Sequence, residues 1–473
     1  YNSAMRDWTE SNMAALDTAG HIYFPPEPDD EIRASIEESR DAGAPTLKVS
    51  APGKEIYIHS KYSPRKDASR WAEIRKPGGS GFAFVFGFGL GYHIEALLEK
   101  RPDIKRIIAV EAGAEIFRAA LSARDMSSLL SNPRLKLLAG SCRELMPLVS
   151  RLIKEMSGIY GASEMEIFLH QPSVDALPQD AAELRDILEY LRLSGSNKEV
   201  MAEERERNIE ANKEIFEAAR GVAELFGTRA GKPVIVAGAG PSLDISLGVL
   251  KSRSEIPEIV AVDSSLASFH LAGLRPDFVV SGDPQELTFG FFSGLDIEKE
   301  KLIFFPSSNP KVAATFGVER SFAACSSISE TEKKIDEIHH KGGLRFSGTV
   351  LMAALDFAYK TGGDPILLIG CDFSFAPDRT HASGSRAEGA ISRHGRLRQT
   401  PGIDGCPAAT SDVLYLFKRV VEDYYKYEMR GNANLVNCTA RGALVEGIQH
   451  STLESALDSA TGSRAQEPFS QET

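Results

Sequence analysis

The chain has 473 residues, of which 42% are hydrophobic and 25% are charged. This length exceeds what one hydrophobic core usually organises, and the composition is that of a folded protein rather than a disordered one. The 66 acidic residues outnumber the 54 lysines and arginines, and the net charge of −12 disfavours general binding to nucleic acid. No apolar stretch approaches the roughly 20 residues that cross a bilayer, so we expect neither a membrane protein nor a nucleic-acid partner.

The cysteines indicate a reducing compartment. There are five of them, they lie far apart and they form no C-x-x-C pair, which argues against a disulfide framework and a structural zinc site. They are Cys142, Cys325, Cys371, Cys406 and Cys438. No signal peptide is evident, and we expect a cytoplasmic protein with reduced thiols.

Residues 1–195 are predicted to form an N-terminal domain with one Rossmann-like unit, at about residues 80–150, after a small β-containing lead-in. A strand at Phe82–Phe86 leads into the glycine-rich turn Gly87–Gly91, a helix from His93 to Lys100 and a second strand that precedes Glu111. This order is typical of a βαβ unit that binds a dinucleotide or S-adenosylmethionine. Because such turns match often by chance, we favour a docking or scaffolding role for this unit.

Residues 196–230 are predicted to form a helical linker, since they are rich in Glu, Lys, Arg and Ala and contain no proline. Asn208 and Asn212 lie four residues apart and therefore on one face of this mostly solvated helix. The pair is compatible with inward polar contacts, but chance is the simpler explanation.

Residues 231–410 show the pattern of a second Rossmann-like unit. Short apolar strands alternate with helices, which predicts a parallel sheet covered on both faces. The strands are expected at Pro233–Ala237, Glu258–Val262, Asp277–Ser281, Lys301–Phe305 and Pro365–Ile369. A C-terminal helical segment and tail are expected at residues 411–473, with a helix at Asp412–Arg430 and a short strand at Leu435–Cys438. The predicted fold class is therefore α/β, with two tandem Rossmann-like units and mainly parallel sheets, joined by a long helix.

Residues directly after the strands of such a sheet are the candidate site, because ligands bind beyond the carboxyl ends of the strands. The first strand precedes the turn Gly238-Ala239-Gly240-Pro241-Ser242-Leu243, whose amides and hydroxyl would favour a phosphate or carboxylate. A tight turn without a ligand explains the same residues equally well. Phe346-Ser347-Gly348-Thr349, before an apolar helix, is a second such helix start.

Three carboxylates follow three other strands. Asp263-Ser264, Asp283 and Asp372 are expected to meet at one edge of the sheet, where they suit ribose hydroxyls, a general base or a magnesium ion held by Asp263 and Asp283. Each could instead cap the helix that follows it.

The segment 376–400 is basic in an otherwise acidic chain. Five arginines and two histidines gather there, which predicts either a lid over an anionic ligand or a solvated loop. They are Arg379, Arg386, Arg393, Arg396, Arg398, His381 and His394.

The motifs of residues 232–384 resemble those of the motility-associated-factor (Maf) family of flagellin glycosyltransferases. The resemblance rests on the turn at Gly238–Leu243, Asp277–Pro284, Phe346–Thr349, Asp364–Phe373 and Thr380–Gly384. The central domain of that family is also grouped with 6-hydroxymethylpterin diphosphokinase-like proteins, and the same ordered motifs are similar to those of bacterial sialyltransferases that use CMP-sialic acid.

This resemblance implies a glycosyltransferase that moves a nonulosonic acid from a CMP donor to flagellin hydroxyls. It implies His381, chosen over His394, as general base and Asp372 as a second catalytic residue. The implied donor-binding residues are Gly238, Gly240, Pro241, Ser242, Leu243, Asp263, Ser264, Asp283, Ser347, Gly348, Thr349 and Arg379. The related sialyltransferases carry asparagines where this chain has Asp263 and Asp283, which leaves room for magnesium. No oligomeric state follows from the sequence.

Two other functions are compatible with the same residues. One is pyrophosphoryl transfer from ATP to a pterin alcohol, with Asp263, Asp283 and Asp372 on magnesium. The other is a nucleotide-binding or docking protein without catalysis.

Overall fold

The computed structural model describes residues 7–25, 33–51, 54–73, 81–145, 147–149, 165–177, 181, 184, 201, 203–387 and 397–462. They belong to two compact units, Tyr1–Asn197 and Lys198–Thr473. None of the helices in these ranges is both long and apolar enough to cross a bilayer.

The first unit is built on a parallel sheet of five strands in the order β1-β7-β6-β5-β8 and a separate antiparallel sheet of three strands, β2-β3-β4. The strands are β1 (Ile22–Tyr23), β2 (Arg33–Glu37), β3 (Thr46–Ala51), β4 (Lys54–Tyr57), β5 (Phe82–Phe86), β6 (Arg106–Glu111), β7 (Leu135–Ala139) and β8 (Met165–Leu169). The helices are α1 (Thr9–Thr18), α2 (Pro64–Glu73), α3 (Tyr92–Lys100), α4 (Ala114–Ala123), α5 (Ser127–Leu130) and α6 (Gln171–Asp175).

The second unit is built on one sheet of nine parallel strands in the order β21-β20-β17-β10-β11-β12-β13-β14-β9. These strands are β9 (Arg220–Gly221), β10 (Val234–Ala237), β11 (Glu258–Val262), β12 (Phe278–Ser281), β13 (Lys301–Phe304), β14 (Ser321–Ala323), β17 (Ile366–Ile369), β20 (Leu435–Asn437) and β21 (Gln449–His450). Two short pairs are separate from it: β15 (Cys325–Ser326) with β16 (Gly343–Leu344), and β18 (Leu397–Pro401) with β19 (Pro407–Ser411).

Helices cover both faces of the nine-stranded sheet. They are α7 (residues 203–218), α8 (Leu243–Lys251), α9 (Leu266–Leu271), α10 (Glu286–Phe289), α11 (Pro310–Phe316), α12 (Glu330–His339), α13 (Val350–Lys360), α14 (Asp412–Tyr424) and α15 (Leu453–Gly462). Alternation along β10 explains the two layers: Val234 and Val236 pack with α13, whereas Ile235 and Ala237 pack with α8 on the other face. The predicted α/β class with parallel sheets is confirmed.

Both parallel sheets reverse their winding next to their first long strand. In the first unit the chain adds β6 and β7 on one side of β5 and then places β8 on the other. In the second unit it adds β11 to β14 on one side of β10 and then returns to place β17 on the other. Ligands of such sheets bind at this switch point, beyond the carboxyl ends of the two strands.

Two segments differ in detail from their prediction. The predicted linker of residues 196–230 is helical over 203–218 and then contributes β9 to the edge of the sheet. Its helix is mostly solvated, as predicted, and Asn208, Asn212 and Phe216 form its buried face. In the C-terminal segment the predicted short strand is β20, and the structure adds β21, so that both continue the same sheet beyond β17.

Candidate functional site

The switch point of the second unit joins the glycine turn after β10 to the end of β17. The Asp372 carboxylate accepts hydrogen bonds from the Ser242 amide at 2.9 Å and from the Ser242 hydroxyl at 2.6 Å. Asp372 is only 4% exposed, and burial raises its pKa to about 7. Ser242 and Asp372, both candidate site residues, are therefore in direct contact.

Glycine is required where these two segments cross. A Cβ on Gly240 would lie 2.4 Å from Asp372 Oδ1, and one on Gly238 would lie 2.5 Å from the Gly370 carbonyl oxygen. Either contact is shorter than side chains tolerate, so the two glycines allow the turn to approach Asp372 closely.

Four amides of this turn already have acceptors within the protein. Gly238 donates to the Ile369 carbonyl, Gly240 to the Gly370 carbonyl, and Leu243 to the Gly240 carbonyl. Together with the Ser242 amide on Asp372, these bonds show that the expected cradle of open amides is wrong for the turn in this state. A ligand phosphate would reach the Ser242 amide and hydroxyl only by displacing the Asp372 carboxylate.

Phe373 follows Asp372 in a strained conformation. Its φ is +48°, in the left-handed region that bulky side chains seldom adopt. Such strain costs on the order of 1–3 kcal/mol and occurs most often at functional sites.

The second carboxylate of the edge, Asp263, follows β11. It accepts hydrogen bonds from the Ser264 amide at 2.7 Å and the Ser281 hydroxyl at 2.9 Å. Burial, together with the negative charge of nearby Asp283, raises the pKa of Asp263 to about 7. Asp283 is half-buried and accepts the Gln285 amide at 2.9 Å. Asp263 accepts two protein donors, which leaves fewer of its oxygen lone pairs for the expected magnesium.

The basic loop lies across the ends of β10 and β11. The Ala382 amide donates to the Ala239 carbonyl at 3.0 Å, and the Ser385 hydroxyl donates to the Ser264 carbonyl at 2.9 Å. Residues 376–387 are therefore hydrogen-bonded to the residues that follow β10 and β11, and their role as a lid over an anionic ligand stays a prediction.

Asp244, in the first turn of α8, holds this loop in place. It accepts hydrogen bonds from the Arg379 guanidinium at 2.8 Å and from the amide and hydroxyl of Ser383 at 3.0 and 2.7 Å. The Arg379 Nε atom is buried and has no hydrogen-bond partner among the described residues. His381 is half-buried, and its Nδ1 lies 2.9 Å from the Thr380 hydroxyl, which orients the ring.

The remaining basic residues of the loop do not contact Asp244 or lie outside the described part of the chain. Arg386 donates to the Gly290 carbonyl at 2.8 Å, and Arg398 lies over the Tyr415 ring at 3.8 Å. Arg393, Arg396 and His394 lie outside the described residues.

The start of α13 is the second predicted anion site. Thr349 caps the helix by accepting the Leu351 amide, and Gly348 is exposed with a φ of +74°. The Ser347 hydroxyl is buried and, within the part of the chain that the structure describes, has no hydrogen-bond partner. In the sheet, β11 lies between β10 and β12, so the carboxyl ends of β10 and β12 are about 10 Å apart.

Helix α7 supports the edge through the asparagine pair. The Asn208 side chain donates to the carbonyls of Pro284 and Ser307 at 2.9 and 3.2 Å. The Asn212 side chain donates to the carbonyls of Pro306 and Ser308 at 2.9 and 2.7 Å. The chance explanation of this pair was wrong, since the two asparagines fix the loops after β12 and β13.

Sequence reasoning missed a buried pair behind the same loops. Ser307, which is 6% exposed, donates from its hydroxyl to Glu332 at 2.7 Å, and the Ser326 amide donates to the same carboxylate at 2.7 Å. Burial raises the pKa of Glu332. The polar run Ser307-Ser308-Asn309 directly after β13 was the available signal, whereas Glu332 gave none.

The corresponding turn in the first unit is closed. The buried Glu111 carboxylate accepts the amides of Phe88 and Gly89 at 2.9 Å each and of Gly113 at 3.1 Å. A Cβ on Gly87 would lie 2.4 Å from the Ser173 Cβ, so α6 is packed directly against the turn. Residues Gly87–Gly91 are all buried. This closed geometry disfavours cofactor binding at the turn, and a docking role of the first unit stays a prediction.

Three buried histidines surround that turn. Among the residues that the structure describes, His59, His93 and His170 are the one group close enough to share a metal ion. The His93 and His170 rings are stacked, however, with centroids 4.2 Å apart and planes within 4°. Imidazole nitrogen binds a metal in the plane of its ring, so one ion cannot serve two stacked rings, and His59 Nε2 already accepts the Leu90 amide at 2.8 Å.

A parallel sheet whose switch point carries a glycine turn and a carboxylate defines the second unit as a Rossmann-like α/β domain. Residues 206–378 match the family described as "6-hydroxymethylpterin diphosphokinase MptE-like", and residues 38–183 match the "Glycosyltransferase Maf N-terminal domain". The resemblance to the Maf family is confirmed, and glycosyltransferase is the class of enzyme that these matches support.

Two individual proteins are also similar. A protein of Treponema pallidum (strain Nichols), described as uncharacterized, is 33% identical over 103 residues, which is 20% of this chain and 32% of the relative. The chain thus spans about a third of the length of this curated relative. The solved Maf glycosyltransferase from Magnetospirillum magneticum AMB-1 is 16% identical, with a TM-score of 0.46, 97% of this chain and 77% of that chain being covered. That likeness is too low to carry an argument about the site.

Proposed function

We propose that this protein is a cytoplasmic glycosyltransferase that moves a nonulosonic acid from a CMP donor to serine or threonine hydroxyls of flagellin. The observation that supports this best is the loop with Arg379 and His381, which lies across the strand ends beside the switch point of the second unit. A basic cover at that position suits an anionic nucleotide donor. The match to the Maf N-terminal domain supports the same reaction class.

In the proposed reaction His381 takes the proton of the acceptor hydroxyl. The hydroxyl oxygen forms a bond to the anomeric carbon of the sugar, while the bond between that carbon and the phosphate oxygen breaks, and CMP leaves with the electron pair. Arg379, which Asp244 holds in place, offsets the charge of the departing phosphate.

Asp372 has a different role in this proposal. Its carboxylate fixes the turn through Ser242, and a pKa near 7 lets it release Ser242 on protonation when the donor phosphate enters. The donor would then form hydrogen bonds with the Ser242 hydroxyl, the start of α13 and the hydroxyl of Ser264.

The match of residues 206–378 to an MptE-like family favours one alternative, pyrophosphoryl transfer from ATP to a pterin alcohol. That reaction needs a divalent cation, which Asp263 and Asp283 would have to hold. Asp263 already accepts hydrogen bonds from the Ser264 amide and the Ser281 hydroxyl, which disfavours this alternative.

The test is a direct assay of both reactions on purified protein. We expect CMP release from CMP-nonulosonate when flagellin is present, with sugar on flagellin detected by mass spectrometry. No CMP release, together with magnesium-dependent AMP formation from ATP and 6-hydroxymethylpterin, would replace the proposal by its alternative.

A further inference from the structure

The first unit carries a cavity that the proposed reaction does not use. Its volume is about 400 Å³, within the range of about 300–1,000 Å³ that is usual for ligand sites. Its walls are the loop that joins β2 to β3, the first turn of α2, the end of α4 with the two residues after it, and Trp8 before α1. None of its lining residues belongs to the closed turn at Gly87–Gly91.

Two of these walls are fixed by hydrogen bonds. The fully buried Asn12 donates from its side chain to the Arg124 carbonyl at 2.8 Å and accepts the Met126 amide at 2.8 Å, which holds the residues after α4. In the loop between β2 and β3, the Gly43 carbonyl accepts a hydrogen bond from the Arg65 guanidinium at 3.0 Å. The walls are therefore preorganised, and a ligand loses little affinity in ordering them.

The lining carries charges of both signs. Arg65 lies 3.4 Å from the Asp41 carboxylate, and Arg124 is paired with Glu95, so each arginine has its own carboxylate. Glu38 also lines the cavity, is exposed, and has no ion-pair or hydrogen-bond partner among the described residues. The carboxylate of Glu38 therefore offers an unpaired negative charge to a cationic group of a ligand.

The same lining holds a buried donor without an acceptor. The Nε atom of Arg124 is buried and has no hydrogen-bond partner within the part of the chain that the structure describes. Such a donor is costly to leave unpaired, and a carbonyl oxygen of a ligand would pair it. A ligand carboxylate fits less well, because Glu38, Asp41 and Asp125 repel it. The cavity therefore suits a ligand that combines a cation with an uncharged carbonyl group.

We propose that this cavity binds a segment of another polypeptide through a lysine or arginine side chain, whose cationic end pairs with Glu38. A backbone carbonyl of the same segment accepts a hydrogen bond from Arg124. A peptide carries both groups within one residue, whereas a free amino acid adds a carboxylate that the lining repels.

This binding site goes beyond the proposed reaction, which is assigned to the second unit. An enzyme that glycosylates a protein has to hold that protein, so we expect the polypeptide to be the acceptor. That assignment of the partner rests on the proposed function, whereas the peptide site itself does not.

The test titrates the full chain with the peptide acetyl-Gly-Lys-Gly-amide and follows binding by NMR. We expect the peptide with norleucine in place of lysine to bind about tenfold more weakly, because it loses a charge-assisted hydrogen bond. Glu38→Gln should weaken the lysine peptide by a similar factor and leave the norleucine peptide unchanged. The matched control is Glu10→Gln, since Glu10 is an exposed glutamate of α1 outside the cavity.

The outcomes separate this inference from the proposed function. Equal affinity for the two peptides, no binding of either, or wild-type affinity for the lysine peptide in Glu38→Gln overturns the peptide site. Free lysine that binds as tightly as the lysine peptide overturns the polypeptide as its ligand. Because the titration needs neither donor nor catalysis, a protein that binds the peptide as expected but releases no CMP loses the proposed function and keeps the peptide site.

A kinetic measurement tests the partner. If the acceptor occupies the cavity, Glu38→Gln should raise the KM for flagellin about tenfold and leave kcat unchanged, whereas Glu10→Gln should change neither. An unchanged KM in Glu38→Gln overturns the acceptor as the partner.

Discussion

Both parallel sheets carry a glycine turn and a nearby carboxylate at the switch point, but the residues around the turn differ. In the first unit the switch point is filled by Glu111, His93 and His170, and the whole turn Gly87–Gly91 is buried. In the second unit Asp372 fills the corresponding place, but half-buried Asp283, Thr349, Arg379 and His381 line the same edge. A glycine turn with an acid near it is therefore insufficient evidence for a ligand, and the exposure of the surrounding polar groups separates the two cases.

The largest expected effect tests whether chemistry occurs at the second edge. Replacing His381 by alanine should lower the rate of CMP release at least about 100-fold, because a general base contributes that much. The matched control is His340→Asn, since His340 is exposed and its φ of +51° is one that asparagine tolerates. Equal rates for His381→Ala and the wild type would remove His381 from the mechanism.

A smaller effect is expected from the glycine turn of the second unit. Gly240→Ala places a Cβ 2.4 Å from Asp372 Oδ1, and we expect it to lower the stability of the second unit by about 1–3 kcal/mol and to weaken CMP binding. Gly248→Ala is the control: its Cβ meets nothing within 4 Å in helix α8, and it should stabilise by about 0.5–1 kcal/mol. Urea denaturation of both variants measures the difference, and equal midpoints would contradict the close crossing.

In the first unit a comparable change should affect stability alone. Glu111→Gln keeps the shape of the side chain but replaces one acceptor oxygen by a donor beside backbone amides, so we expect a loss of about 1–3 kcal/mol. The rate of CMP release by the remaining folded protein should not change. A selective loss of activity without a shift in unfolding would show that this turn takes part in the reaction.

The last comparison concerns the pH dependence of stability, which should have opposite sign in the two units. Burial lowers the pKa of His59 below its usual 6.5. Its contribution to the free energy of unfolding of the first unit is therefore complete above about pH 6.5 and declines as the pH falls below that value. Burial raises the pKa of Asp263 and Asp372 to about 7. Their contribution to the free energy of unfolding of the second unit is therefore complete below about pH 4 and is lost as the pH rises through 7.

Hydrogen exchange of peptides from each unit between pH 7 and 5 measures how the free energy of unfolding of that unit changes with pH. For one group this slope is at most about 1.4 kcal/mol per pH unit. Burial raises the pKa of Glu111 as well, which reduces the slope of the first unit. Asp263→Asn should reduce the pH dependence of the stability of the second unit. Parallel slopes in the two units would contradict the assigned titrations.

Much of the fold followed from the sequence because local patterns specify it. Four- or five-residue apolar runs predicted β10, β11, β12, β13 and β17, and the polar residues after them predicted the edge. The contacts made across the sheet could not be predicted: Asp372 on Ser242 joins residues 130 positions apart, and Asn212 on Ser308 joins residues 96 apart. No local pattern in the turn indicates that its amides already have acceptors.

The most direct test of this account is hydrogen exchange with and without CMP over the whole chain. We expect CMP to slow exchange in peptides that contain residues 238–243, 346–349 and 376–387 and to leave residues 87–91 unchanged. Protection confined to residues 87–91, or no protection anywhere at saturating CMP, would contradict the assignment of the nucleotide to the second sheet.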